Sequence, residues 1–234
     1  STATLISTTQ LTEPGETDAT FSFLPHAIEF KPDGTRMFVV RNTGTLVYQY
    51  DLSTAWDVST ISFSTKYDVS DEDQLRSLTF KPDGSRMYVT GNENEKIKEY
   101  SLSTPWDITT SNVTHVRDSV ALTSTDNNPR NIQFSKEGTE FYYAGNGSNN
   151  MHKFTLSTAW DVSTLSSSAT TFDLGDDRIN NMRGFIFTSS FSRLYVTNDD
   201  GKAAKNKIFV YVLSCAATIS CEDASQDQNV VALI

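Results

Sequence analysis

The chain has 234 residues, 37% of them hydrophobic, and a formal net charge of −10. That acidity excludes a phosphate-backbone partner, which demands a cationic stripe, and equally an anionic membrane surface. No apolar run approaches the roughly 18 residues of a membrane span, and the length is enough to bury a large core.

The first segment, residues 3–11, reads as a strand that lacks company. Ser1-Thr2-Ala3-Thr4-Leu5-Ile6-Ser7-Thr8 aligns with Ser59-Thr60-Ile61-Ser62-Phe63-Ser64, the fourth strand of the unit that follows. The chain starts at Ser1 with neither an initiator Met nor a signal-peptide pattern, which reads as a mature product or an excised segment.

A unit then occurs four times. Its markers are Phe30, Phe80, Phe134 and Phe187, at spacings of 50, 54 and 53 residues. In each unit strand A (27–30, 77–80, 131–134, 184–187) precedes a tight reversal. In the first two copies that reversal is Pro-Asp-Gly, with φ fixed at Pro and a positive φ readily reached at Gly. Strand B follows (37–40, 87–90, 141–144, 194–197), then strand C (46–52, 97–102, 151–156, 208–213). Strand D (61–69, 113–122, 167–174) closes the first three units. The runs are short, β-branched and aromatic, and bounded by turn formers. No sustained 3.6-residue apolar period occurs, so almost no helix is expected.

Four strands per unit of this length are the signature of propeller blades. The fourth unit has no strand D of its own, whereas the N-terminus has a strand D to spare. The expected fold is therefore all-β: a four-bladed β-propeller over residues 1–214, each blade a four-stranded antiparallel sheet. The ring closes by pairing of residues 3–11 with strand C of the last blade, because an unpaired edge strand is a liability. Residues 215–234 form a C-terminal tail.

Strands C and D are joined by Leu-Ser-Thr-x-Trp-Asp-[Val/Ile]-[Ser/Thr]-Thr at 52–60, 102–110 and 156–164. Trp56, Trp106 and Trp160 are expected to pack structurally over the blade ends. Asp57, Asp107 and Asp161 are expected to bond backbone amides, as Asx side chains do in turns.

Met87-Tyr88-Val89-Thr90-Gly91-Asn92, Leu194-Tyr195-Val196-Thr197-Asn198 and the Phe-Lys-Pro-Asp-Gly turn resemble the YVTN-type β-propeller repeat and its WD-repeat-like relatives. The resemblance spans about residues 20–214. It implies a secreted or surface-layer setting, and some relatives of that group are lactone hydrolases. Such propellers usually have six or seven blades, so four is a departure.

One position repeats its chemistry at the entry to strand A: His26, Arg76, Arg130 and Arg183. Equivalent positions in a closed ring face one axis. The four would form a collar able to hold a carboxylate, phosphate or sulfate through charge-assisted bonds. The other reading pairs each Arg with loop acids: Arg76 with Asp71 or Asp73, Arg130 with Asp126, Arg183 with Asp176 or Asp177. The same acids, Asp71, Asp73, Asp126, Asp176 and Asp177, are the only candidates for a bound Ca²⁺, and none sits in a Ca²⁺-loop motif. No cofactor is otherwise expected.

Cys215 and Cys221 follow the last strand without Cys-x-x-Cys spacing, which suits a local disulfide rather than zinc and so an oxidising compartment. The acidic stretch 222–228 and the apolar 229–234 read as a link to further sequence. Of three histidines, His115 and His152 fall in strands away from the axis. Glu29 lies on an inner strand, but Thr79, Gln133 and Ile186 hold the equivalent places, so no paired carboxylates arise. No nucleophile elbow or His-Glu-x-x-His occurs. The expectation is a non-enzymatic extracellular or cell-surface module that binds protein or glycan. A purely structural, self-assembling surface or virion component is the alternative, and a lactonase-like hydrolase the second.

Overall fold

A computed structural model describes residues 11, 25–41, 44–70, 72, 74–122, 129–145, 150–174, 182–188, 191–198 and 207–212. The first blade is β1 (Pro25–Phe30), β2 (Arg36–Arg41), β3 (Leu46–Leu52) and β4 (Ile61–Asp68), in that spatial order. The second is β5 (Leu75–Phe80), β6 (Arg86–Gly91), β7 (Ile97–Leu102) and β8 (Val113–Asp118). The third is β9 (Pro129–Phe134), β10 (Glu140–Gly145), β11 (Met151–Thr155) and β12 (Thr170–Phe172). The fourth shows β13 (Met182–Phe187), β14 (Arg193–Asn198) and β15 (Lys207–Val212) among the described residues. All neighbours pair antiparallel, as a meander joined by short turns requires. The molecule is a four-bladed β-propeller.

The outer strands of the second and third blades are shorter than the sequence suggests. Val120 is exposed and Phe172 lies open at the rim, so little burial holds those ends to the ladder. The helical content among the described residues is three single-turn 3-10 segments, Val58–Thr60, Thr110–Asn112 and Val162–Thr164, each leading out of the Trp-Asp motif.

The blades are joined by apolar faces. Phe38, Val40 and Val47 of the first blade pack on Leu78, Phe80 and Tyr100 of the second. Tyr88 and Ile97 of the second meet Ile132, Phe134 and Phe141 of the third. Tyr142, Ala144 and Met151 of the third meet Phe185, Phe187 and Val196 of the fourth. Each large side chain so buried contributes about 1.5–3 kcal/mol. Val69, Leu122 and Leu174 follow the outer strands into these three cores. Leu11 packs in the same way on the other face of the first blade, against Met37, Val39 and Tyr50. Residues 3–10, expected to close the ring beside β15, lie outside the described residues.

Hydrogen bonds cross the same seams. The Ile108 N–H donates to Gln49 Oε1 (3.0 Å), and the Val162 N–H donates to Glu99 Oε2 (3.3 Å) from the equivalent place one blade on. The Phe187 N–H donates to Gln133 Oε1 at 3.1 Å. Arg36 Nη1 and the Tyr88 hydroxyl each donate to the carbonyl of a tryptophan in the next blade, Trp106 (2.7 Å) and Trp160 (2.8 Å).

The Trp-Asp motif is structural. Trp56, Trp106 and Trp160 each adopt a positive φ. Their indoles lie on Gly34, Gly84 and Gly138, the turn glycines of their own blades. The turns have room for glycine alone, since a Cβ there would meet the ring at 2.0–2.5 Å. Asp57, Asp107 and Asp161 accept from the backbone N–H of Ser59, Thr109 and Ser163 at 2.9–3.0 Å. In the fourth blade the equivalent turn carries Phe191, also at positive φ (53°), whose ring stacks on Phe187 at 4.9 Å.

Candidate functional site

Each inner strand begins with an irregularity of one kind. In β1 the register jumps between Pro25 and Ala27, in β5 between Leu75 and Ser77, and in β13 between Met182 and Gly184. In β9 the partners of Ala144 and Gly145 are Asn131 and Pro129. The residues passed over are His26, Arg76, Arg183 and Arg130. A β-bulge leaves one residue unpaired and re-aims its side chain. The four residues of the collar are thus the four bulge residues.

The inner strands surround a cavity of about 570 Å³ on the propeller axis, lined from all four blades. His26, Arg130 and Arg183 line it. Arg76 does not. Its side chain is buried, Nη2 donates to Gln74 Oε1 at 2.7 Å, and its carbonyl oxygen lies 2.8 Å from His26 Nδ1. The collar therefore presents three side chains to the cavity, and Arg76 supports it from behind. Its loop-acid partners in the other reading, Asp71 and Asp73, lie outside the described residues, as do Asp126, Asp176 and Asp177. The Ca²⁺ candidates are these same five acids; among the described residues no metal-ligating cluster occurs. Cys215 and Cys221 also lie outside them.

A carbonyl oxygen only accepts, so His26 Nδ1 carries the proton and Nε2 is the bare nitrogen. Arg130 Nη1 stands 3.4 Å from that nitrogen and can donate to it. Burial lowers the His26 pKa below its ordinary 6.5, and the positive charges of Arg76, Arg130 and Arg183 lower it further against the opposing bond to the Arg76 carbonyl. The ring is neutral at pH 7. Burial, with the charges of Arg76 and Arg183, brings Arg130 down to about 10, which leaves it cationic. Arg130 Nε is buried and meets no acceptor among the described residues.

Glu29 also lines the cavity. Burial pushes its carboxyl up to about 8, so near neutral pH it holds a proton. Reasoning from the repeat passed over this residue because its counterparts Thr79, Gln133 and Ile186 carry no acid. The singularity was the available signal: an ionisable group placed once on an inner strand. A neutral imidazole, a protonated carboxyl and two guanidinium groups in one cavity form an acid–base site with anion-stabilising donors.

The fold and this cavity define a repeat-built β-propeller whose axial cavity gathers His26, Glu29, Arg130 and Arg183. The chain belongs to the family described as Lactonase, 7-bladed beta-propeller, whose family model matches residues 2–205. A comparison with curated protein sequences finds no match. Among solved structures, a protein from Lactobacillus plantarum is similar at TM-score 0.53 and 20% identity, over 81% of this chain and 54% of that one. Hydrazine synthase from Kuenenia stuttgartiensis is similar at TM-score 0.54 and 16% identity, over 86% and 49%. A putative 6-phosphogluconolactonase from Bacteroides uniformis is similar at TM-score 0.51 and 14% identity, over 78% and 51%. At these identities the likeness is one of fold. The chain spans about half the length of these structures.

Membership of the lactonase family overturns the expectation of a non-enzymatic binding or adhesion module. That expectation rested on finding no nucleophile elbow, no His-Glu-x-x-His and no paired carboxylates on the inner strands. An active cavity does not need repetition, since one acid, one base and a few donors suffice.

Proposed function

We propose that this protein is a lactone hydrolase that works in the axial cavity. The observation that carries the reading is the convergence of His26, Glu29, Arg130 and Arg183 on one cavity in a chain of the lactonase family. The YVTN-type pattern of the repeats, a group with lactone hydrolases among its relatives, supports the same reading.

Opening a lactone adds water to the carbonyl carbon and expels the ring oxygen. The step needs a base for the water, donors for the oxyanion and an acid for the leaving oxygen. Once Arg130 Nη1 turns from Nε2 to the substrate oxygen, neutral His26 takes the water proton on Nε2, while its Nδ1–H stays on the Arg76 carbonyl. Arg130 and Arg183 stabilise the tetrahedral oxyanion and then the product carboxylate. Glu29 gives its proton to the ring oxygen as the C–O bond breaks. Imidazolium and carboxylate then exchange a proton through solvent, which restores both groups. The net change is one water added and one hydroxy acid formed.

The test is acid release from D-glucono-δ-lactone, followed by pH-stat above the spontaneous rate. Turnover is expected, with losses of roughly 10²-fold or more in Glu29→Gln and Arg130→Ala. A wild-type rate no greater than buffer, with this lactone and its 6-phosphate, would overturn the reading.

A further inference from the structure

Gln74 adopts a positive φ (52°), a region that residues other than glycine seldom occupy and that clusters at functional sites. It stands two residues before the bulge residue Arg76. Its Oε1 accepts from Arg76 Nη2 at 2.7 Å, and a guanidinium only donates, so the orientation of the amide is fixed. The carbonyl oxygen of the same Arg76 lies 2.8 Å from His26 Nδ1. Two hydrogen bonds therefore lead from Gln74 to the base, and the second crosses the seam between the first and second blades.

Gln74 is also neutral. Arg76 is buried, and a buried cation is commonly met by a carboxylate. Here the bond comes from an amide, which holds the guanidinium without cancelling its charge. His26 faces that charge from β5 and the charges of Arg130 and Arg183 from β9 and β13. Glu29 of its own strand and Tyr195 of β14 also line the cavity. The three positive charges favour the neutral imidazole. The sequence repeats this pairing of residue types: Asn128 and Asn181 stand two residues before Arg130 and Arg183. Where the bulge residue is His26, the same place holds Leu24, which has no side-chain acceptor.

We propose that Gln74 is a positioning residue for His26. It anchors Arg76 so that the bulge carbonyl fixes the Nδ1–H tautomer, and its own lack of charge leaves the guanidinium charge to oppose protonation of the ring. The role in catalysis rests on the lactone-hydrolase reading. The tautomer and charge of His26 can be measured with no substrate present, so the two readings fail separately.

The experiment is long-range proton–nitrogen NMR of the full chain, with the His26 signals identified by their loss in His26→Ala. Wild type is expected to show the Nδ1–H tautomer and to titrate below pH 6.5. Gln74→Glu keeps the anchor and adds a negative charge, so the His26 pKa rises by roughly one unit and the acid limb of kcat/KM moves up with it. Gln74→Met keeps the bulk and loses the acceptor. Both tautomers then appear, and kcat falls roughly tenfold with KM little changed. If Gln74→Met does not fold, Gln74→Glu carries the test. An unmoved His26 titration in Gln74→Glu overturns the inference, as does an Nε2–H tautomer in wild type. A loss of kcat in Gln74→Met with the wild-type tautomer and titration is a merely structural effect and overturns it too. The expected NMR changes without turnover of any lactone uphold the anchor and overturn the lactone-hydrolase reading alone.

Discussion

Nδ1 of His26 lies 2.8 Å from the carbonyl oxygen of Arg76, across the seam between the first and second blades. Both are bulge residues, and the bond leaves Nε2 as the unprotonated nitrogen, with Arg130 Nη1 3.4 Å from it. Replacing His26 with Ala removes the base and the acid limb of the rate profile. The wild-type limb is expected below pH 6.5, because burial and the neighbouring arginines lower the His26 pKa. A kcat/KM profile of His26→Ala that keeps the wild-type acid limb would reassign the base.

Glu29 governs the alkaline side. Its carboxyl stays protonated up to about 8, so activity that needs its proton falls as the pH rises past that value. Glu29→Gln is expected to lose that limb along with most of the rate.

The same group links pH to stability. The folded-state pKa of Glu29 is raised from 4.5 to about 8, so the folded chain keeps a proton that the unfolded chain releases. The contribution is present below pH 4.5 and is lost as the pH climbs through 8. Thermal melts should show Glu29→Gln gaining on wild type between pH 6 and pH 9. A difference in melting temperature that stays constant over that range would contradict the assignment.

A Cβ on Gly84 would stand 2.0 Å from Trp106 Cδ1, and φ there is +73°. Gly84→Ala is expected to cost about 2 kcal/mol or more, from positive-φ strain and displacement of the indole. Urea denaturation reads this directly. Phe191 occupies the equivalent turn of the fourth blade, which lacks the Trp-Asp motif. Phe191→Gly relieves φ but loses the stack on Phe187, so there glycine should not stabilise.

Gln49 is buried and accepts the Ile108 N–H across a seam. Gln49→Ala leaves that amide without its partner, at about 1–3 kcal/mol. Gln49→Glu keeps an acceptor, as Glu99 does one blade on, and should fall between the two in urea denaturation.

Much of this was legible in the sequence because it repeats. Phe30, Phe80, Phe134 and Phe187 fix the blade period, and the Trp-Asp motif fixes three of the connections. The collar His26, Arg76, Arg130 and Arg183 was visible as a periodic position. Its cause, a β-bulge in every inner strand, was not, because a bulge is a matter of register between two strands. Glu29 was seen and passed over. Repetition marks what every blade needs, and an asymmetric site needs each of its groups once.

The sequence by itself determined the blades, their order and the turn chemistry, since strand alternation, turn residues and repeat spacing are local properties of the chain. Only the tertiary structure decided that Arg76 withdraws from the axis and that Glu29 keeps its proton. Each of those depends on which side chains exclude water from a given place, and that is set by elements from different blades meeting in space.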